Sequence, residues 1–124
     1  MIKMFCAAVV LLAVSASSGV AQTAKTCPHF AGKWTSDFGP MALKAKPIKD
    51  HPEAYTVSGT YYWSGTYQRI TGTANGDNFN GRWIQTDRWG YLRMVLSPDK
   101  TGFGGTWTEA NKTGGGRWNG NCSG

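Results

Sequence analysis

The chain has 124 residues, seventeen glycines, six tryptophans and a formal net charge of +6. This length predicts one domain in the chain. The charge is moderate and spread along the chain, which indicates a soluble surface rather than a nucleic-acid site, with an anionic cell-surface polymer as the alternative partner.

The first 21 residues have the features of a secretion signal. Lys3 supplies a positive charge, residues 5–14 form a short apolar run, and residues 19–21 are small. Because the run is too short to span a bilayer, we expect no membrane insertion once it is removed. The sequence therefore predicts a signal peptide over 1–21, one domain over 22–124, and a secreted or periplasmic location.

Two cysteines remain after the signal peptide, which contains Cys6, is removed. Cys27 and Cys122 lie at opposite ends of the predicted domain. An even pair in an exported protein indicates a disulfide, with two free thiols or a metal site as the alternatives. A bond between them would require the first and last strands to lie close together, as they do in a closed barrel.

A short pattern recurs along the chain: an apolar residue, then glycine two positions later, then an aromatic residue two positions after that. Positions i, i+2 and i+4 share one face of a strand, so each copy predicts a face that alternates large, small and large. This alternation is typical of the interior of a small barrel. The glycines of the four full copies are Gly32, Gly59, Gly81 and Gly105, and a degenerate copy ends at Trp118.

No segment has a helical period, and short alternating segments are separated by turn residues. The longest loop is predicted at 47–53, where two prolines and several charged residues interrupt the alternation. In chain order, the strands are predicted at 30–36, 41–46, 55–63, 67–73, 78–86, 91–96, 103–109 and 117–122.

The predicted fold is all-β: an eight- or nine-stranded antiparallel meander barrel closed by one disulfide. A two-sheet sandwich is the alternative. An eight-stranded barrel has an interior that side chains fill or that holds one small ligand.

The first part of this domain resembles the avidin and streptavidin family. The shared features are Cys27, the run at 32–39, Met41 at the start of the second strand, and the run at 59–61. The resemblance implies an eight-stranded meander barrel that holds biotin at its open end.

The resemblance also implies roles for single residues. Tyr61 matches a tyrosine whose hydroxyl bonds the ureido oxygen of the ligand. Ser36 stands where the family usually has an asparagine, and Pro40 stands where it has a serine hydroxyl. The chain thus retains one of these three polar groups and replaces the other two.

Reactive side chains do not form a recognisable catalytic pattern. His29 and His51 each lack a nucleophile and an orienting acid in a known arrangement, and Glu109 is a lone carboxylate on a tryptophan-bearing strand face. The sequence has no phosphate-binding loop and no metal-ligand spacing. We therefore predict no enzyme activity, no catalytic residues, no metal and no cofactor.

The aromatic residues are the main functional signal. Core packing explains Trp34, Trp83 and Trp107, whereas an aromatic-lined barrel mouth that stacks on a sugar or heterocycle is the functional interpretation. The candidate ligand-binding residues are Ser36, Tyr61, Trp63, Trp83, Trp89 and Trp107.

The predicted function is an exported, non-catalytic binding protein for a small-molecule or polymeric ligand, such as a glycan. One alternative is a protein-binding module, such as a periplasmic hydrolase inhibitor, with the loop at 47–53 presented to its partner. The other is a structural accessory domain without a ligand. Nucleic acid is not an expected partner.

Overall fold

The computed structural model describes residues 24–111 and 114–124, and the predicted signal peptide over 1–21 lies outside them. The described residues are all-β apart from one short 3-10 turn at Pro28–Phe30. The strands are β1 (Gly32–Ser36), β2 (Met41–Ile48), β3 (His51–Trp63), β4 (Thr66–Asn75), β5 (Asn78–Ile84), β6 (Trp89–Leu96), β7 (Gly102–Glu109), β8 (Gly115–Arg117) and β9 (Gly120–Cys122).

The strands form a closed antiparallel barrel. Strands β1 to β7 pair in chain order as a meander, and both β8 and β9 pair with β7. Strand β9 also pairs with β1, which closes the sheet on itself. The barrel thus has eight strands, with β8 as an extra short strand, and the predicted fold class is confirmed.

The recurring pattern faces the interior, as predicted. In the copy on β5, Phe79 and Trp83 are buried on either side of Gly81. In the copy on β3, Val57 and Tyr61 are buried on either side of Gly59.

Aromatic rings of the inner face lie over glycines of the neighbouring strand. The directly opposed pairs are Trp83 with Gly90, Phe103 with Gly120, and Trp107 with Gly116. A Cβ atom on Gly90 would lie 2.6 Å from the Trp83 ring, and one on Gly120 would lie 2.5 Å from the Phe103 ring. The rings therefore occupy the space that a side chain would need.

One end of the barrel is filled by the residues that precede β1. The 3-10 turn Pro28–Phe30 places Phe30 in the core, fully buried, where its ring lies 5.7 Å from that of Phe79 and 6.4 Å from that of Trp34. The Trp34 indole N–H donates to the Phe30 carbonyl at 3.0 Å. This is the closed end of the barrel.

The predicted disulfide is confirmed. Cys27 and Cys122 are bonded across 95 residues of sequence, with their Cα atoms 5.8 Å apart. Cys27 is fully buried, and its backbone N–H donates to the carbonyl of Lys100 at 2.9 Å. The bond fastens the segment before β1 to β9, next to the seam where the sheet closes.

The prediction of a long loop at 47–53 is wrong. Strands β2 and β3 run through this stretch, and only Lys49 and Asp50 form the turn between them. Pairing passes from Ile48–His51 directly to Pro47–Tyr55, so residues 52–54 form a bulge in β3. The two prolines favour a loop, but Pro52 lies in the bulge, and Pro47 pairs with Tyr55 beyond the part of β2 that pairs with β1. A proline at a bulge or a strand edge removes no ladder hydrogen bond.

Several strand boundaries also differ from prediction, two of them at buried aromatic residues. Phe30 belongs to the 3-10 turn, where it has a positive φ of 69°, so β1 begins at Gly32 rather than at residue 30. The last predicted strand is two strands, β8 and β9, separated by Trp118 and Asn119. The break leaves Trp118 free to turn its ring into the barrel, where it is buried.

Removing the disulfide should reduce stability substantially. In the chain-entropy model, closing a loop of this length is worth about 4–5 kcal/mol. We expect Cys27→Ala/Cys122→Ala to lose about 2–5 kcal/mol in urea unfolding, and chemical reduction of the unmodified protein to give a similar loss. A loss below about 1 kcal/mol would mean that the strand pairs hold the seam without the bond.

Gly120→Ala should destabilise the barrel, because its Cβ would lie 2.5 Å from the Phe103 ring. We expect a loss of about 1–3 kcal/mol, as in other overpacked cores. The matched control is Gly104→Ala on the outer face of β7, where the nearest atom to a new Cβ is Asn119 Oδ1 at 3.5 Å. That variant should stay within about 0.5 kcal/mol of the unmodified protein. Equal losses for the two variants in urea unfolding would contradict the ring-over-glycine packing.

Candidate ligand-binding site

A cavity of about 120 Å³ lies at the end of the barrel opposite the 3-10 turn. The turns that connect β1 to β2, β3 to β4 and β5 to β6 surround this open end. The cavity is lined by six aromatic residues and two polar ones: Phe38, Tyr61, Trp63, Trp83, Trp107, Trp118, Gln85 and Arg88.

The aromatic walls pack edge to face. Phe38, in the turn after β1, lies 5.1 Å from Trp63, 4.8 Å from Trp118 and 6.0 Å from Trp107 between ring centroids. On the opposite side, the Trp83 and Trp107 rings are 5.9 Å apart and nearly perpendicular. Each ring thus fixes its neighbour, and the walls are held in place before any ligand binds.

A phenol and an amide form the polar edge of the cavity. Gln85 Nε2 donates to Tyr61 Oη at 3.0 Å. A tyrosine hydroxyl and a glutamine amide together have more donors and acceptors than one bond uses, so the pair can also bond a ligand. Burial raises the pKa of Tyr61 and outweighs the opposing effects of the Gln85 hydrogen bond and the Arg88 charge. The phenol is therefore neutral at physiological pH.

An ion pair stands beside this polar edge. Arg88 Nη2 lies 3.1 Å from Glu109 Oε1, and the arginine side chain is about half exposed. The Arg88 guanidinium carbon also lies 5.4 Å from the centroid of the Trp83 ring, a cation–π distance. Arg88 thus contributes a positive group at the mouth, positioned by a carboxylate on one side and an indole on the other.

Four of the six predicted ligand-binding residues meet at this cavity: Tyr61, Trp63, Trp83 and Trp107. Trp63 is 40% exposed at the mouth, whereas Tyr61 and Trp83 are buried. Tyr62, which precedes Trp63 in the sequence, faces outward and contacts Tyr67, with the ring centroids 4.9 Å apart.

Ser36 lies behind the aromatic wall rather than in the cavity. Its hydroxyl donates to the Gly39 carbonyl at 2.7 Å and accepts from the Phe38 backbone N–H and the Trp118 indole N–H, both at 3.2 Å. One hydroxyl donor and two acceptor positions are thereby occupied. Ser36 holds two of the rings that line the cavity.

Trp89 lies outside the cavity, on the outer face at the start of β6. Its ring packs edge to face on Tyr91 at 5.3 Å, and the Arg82 guanidinium lies 5.0 Å from its centroid. The adjacent Gly90 faces inward, so strand alternation directs Trp89 outward.

Sequence analysis missed four lining residues: Phe38, Gln85, Arg88 and Trp118. Phe38 and Arg88 lie in segments whose composition indicates a turn but not the direction of its side chains, whereas Gln85 falls in the predicted strand 78–86 and lies in the turn after β5. Trp118 had a signal, since it ends the degenerate fifth copy of the pattern.

The volume of the cavity limits the size of the ligand that it can enclose. Pockets for drug-sized molecules usually measure about 300–1,000 Å³, whereas a cavity of about 150 Å³ holds one benzene ring. A cavity of 120 Å³ therefore fits a single ring, and any larger ligand would extend through the mouth.

No family model, curated protein or solved structure matches this chain. Within the described ranges, 24–111 and 114–124, no helix has the length and apolar character needed to cross a membrane.

The raised pKa of Tyr61 predicts a loss of stability in alkali. The unfolded chain ionises its tyrosines near pH 10, while the buried phenol holds its proton to higher pH. Above about pH 10 the folded state therefore binds more protons than the unfolded state, and the unfolding free energy falls as pH rises.

Tyr61→Phe should weaken this alkaline dependence, measured by urea unfolding between pH 8 and 11. Tyr67→Phe, at a position that is 71% exposed, serves as the control and should keep the slope of the unmodified protein. Identical slopes for the Tyr61 and Tyr67 variants would contradict the assignment.

Proposed function

We propose that this protein is a non-catalytic binding protein that holds a small, flat, ring-bearing molecule at the open end of its barrel. The ligand is a single sugar or heterocyclic ring, or a ring attached to a larger molecule. The observation that carries the proposal is the convergence of six aromatic side chains on a cavity that they leave unfilled.

An unfilled cavity at this position favours binding over simple core packing. Protein interiors pack as densely as organic crystals, and voids larger than a water molecule are few. The closed end of this barrel follows that rule, with Phe30, Trp34 and Phe79 fully buried. The open end does not follow this rule, because side chains leave its cavity unfilled. The polar groups of Tyr61, Gln85 and Arg88 are available there to orient a ligand.

The side chains at the cavity favour recognition over catalysis. They offer aromatic faces, one amide, one neutral phenol and one guanidinium. The nearest carboxylate, Glu109, pairs with Arg88, and paired acid–base chemistry needs a second carboxyl group. This arrangement can orient and enclose a ring, and it lacks an activated nucleophile.

The closed barrel and the disulfide support two further parts of the proposal. Disulfides persist in oxidising compartments, which supports export to the periplasm or the cell exterior. An eight-stranded meander with Tyr61 at its cavity is the arrangement that the resemblance to avidin-type barrels implies. Biotin therefore belongs in a ligand panel, together with sugars, peptidoglycan fragments and single-ring heterocycles.

Trp63→Leu should weaken binding of the ligand that this panel identifies. The lost ring contact is worth about 0.5–1.5 kcal/mol, so we expect the Kd to rise about 2- to 13-fold in isothermal titration calorimetry. The matched control is Tyr62→Leu, since Tyr62 is adjacent and equally exposed, at 41% against 40%, but faces outward.

Tyr62→Leu should leave the Kd unchanged. An equal loss for both variants would place the ligand elsewhere than in the cavity. No heat and no change in tryptophan fluorescence with any member of the panel would reject the small-ligand proposal and favour a structural domain.

A further inference from the structure

The outer face of the barrel is basic. Its outward strand positions carry cations and no acids among the described residues, and neither of the two ion pairs involves these cations. The acids lie instead in turns, in the bulge of β3 or, for Glu109, on the inner face. The outward cations are Lys33, Lys44, Lys46, Arg69, Arg82, Arg93 and Arg117.

Part of this face, over β5, β6 and β7, forms a shallow depression of about 430 Å³. Its outward side chains are an arginine, a tyrosine, an asparagine and two threonines: Arg93, Tyr91, Asn80, Thr106 and Thr108. We call this surface the β5–β7 wall and include in it Arg82, which pairs with Tyr91 across the strands.

The two arginines of the β5–β7 wall are diagonal neighbours. Arg82 is directly opposite Tyr91, and Arg93 lies two residues further along β6. Diagonal positions on adjacent strands are about 7–8 Å apart at the backbone. The Arg82 guanidinium extends from there away from Arg93, over Trp89 at 5.0 Å, so the two guanidinium groups can meet separate charges on an extended chain. Tyr91 lies opposite Arg82 and two residues from Arg93 on the same face, and it is 51% exposed.

We propose that the β5–β7 wall binds an acidic polysaccharide that carries carboxylate groups on its sugar rings. Guanidinium groups bond carboxylates in a bidentate geometry. Arg82 and Arg93 would therefore bind the carboxylates of the polysaccharide. The exposed Tyr91 ring offers a flat surface to one sugar ring. Asn80 and the threonine hydroxyls supply donors and acceptors for sugar hydroxyls.

The aromatic geometry favours a polysaccharide over a single-stranded nucleic acid. Nucleic-acid grooves present several open rings on which successive bases stack. Here Arg82 lies over the Trp89 ring at 5.0 Å, and that ring packs on Tyr91 with an interplanar angle of 71°, so the two rings do not present parallel faces to successive bases. Tyr91, 51% exposed against 38% for Trp89, is the more open platform and has hydroxyl and amide groups beside it.

This site is separate from the cavity of the proposed function. Its side chains project outward from β5, β6 and β7, whereas Trp83 and Trp107 project inward from β5 and β7. A polymer on the wall and a small ring in the cavity can therefore bind independently.

Calorimetric titration with polygalacturonate, with neutral dextran and single-stranded DNA as comparisons, tests the proposal. We expect binding of polygalacturonate that weakens as salt rises, and no binding of dextran. Arg82→Gln/Arg93→Gln should raise the Kd at least tenfold. Lys44→Gln/Lys46→Gln removes the same charge from β2, away from the wall, and should raise it less than threefold.

Several results would overturn the proposal. Equal effects of the two double variants would show attraction by net charge alone, and absence of polygalacturonate binding at low salt would exclude the site. Tighter binding of single-stranded DNA than of polygalacturonate would assign the wall to nucleic acid. Near-ultraviolet circular dichroism checks that the variants fold, and Trp63→Leu should leave polygalacturonate binding intact even if the cavity proposal fails.

Discussion

The contact between an aromatic ring and a glycine on the next strand shapes the interior of this barrel. A ring can lie flat against a neighbouring strand only where that strand lacks a side chain, and Gly90, Gly116 and Gly120 supply such places. Other inward rings lie opposite apolar side chains, as Phe79 does opposite Met94 and Trp107 opposite Leu92. The paired arrangement lets a small, strongly curved sheet close around large side chains.

The same contact has different results at the two ends of the barrel. At the closed end, Phe103 covers Gly120 and meets the Trp34 ring at 5.1 Å, so the interior is filled. At the open end, Trp83 and Trp107 are held against glycines and stand nearly perpendicular to each other. Rings fixed in this way cannot collapse into the space between them, which is why a cavity remains where the core would otherwise close.

Much of this architecture could be predicted, because residue spacing determines which strand face a side chain occupies. The apolar–glycine–aromatic spacing predicted which residues face the interior. The positions of Cys27 and Cys122 predicted that the first and last strands lie close together, as in a closed barrel. The cavity was only partly predictable. Phe38 and Arg88 lie in turns, and a turn sequence reveals the reversal of the chain but not whether a side chain crosses the mouth. The prediction for 47–53 was wrong for a related reason, since Pro52 fits a bulge, and Pro47 a strand edge, as well as either fits a loop.

The distribution of charge follows from the same division between strands and turns. Aspartate favours turns because its side chain bonds nearby backbone groups, as Asp99 does with the Thr101 N–H at 3.1 Å. The inward strand positions hold mainly rings, aliphatic side chains and glycines, and among the described residues Glu109, paired with Arg88, is the one carboxylate on that face. Cations remain on the outward positions, where long side chains keep their charged ends in water. A barrel built on ring–glycine contacts therefore leaves two places for recognition: the mouth, where rings stand apart, and the outer wall, where arginines such as Arg93 have no acidic neighbours on the strands.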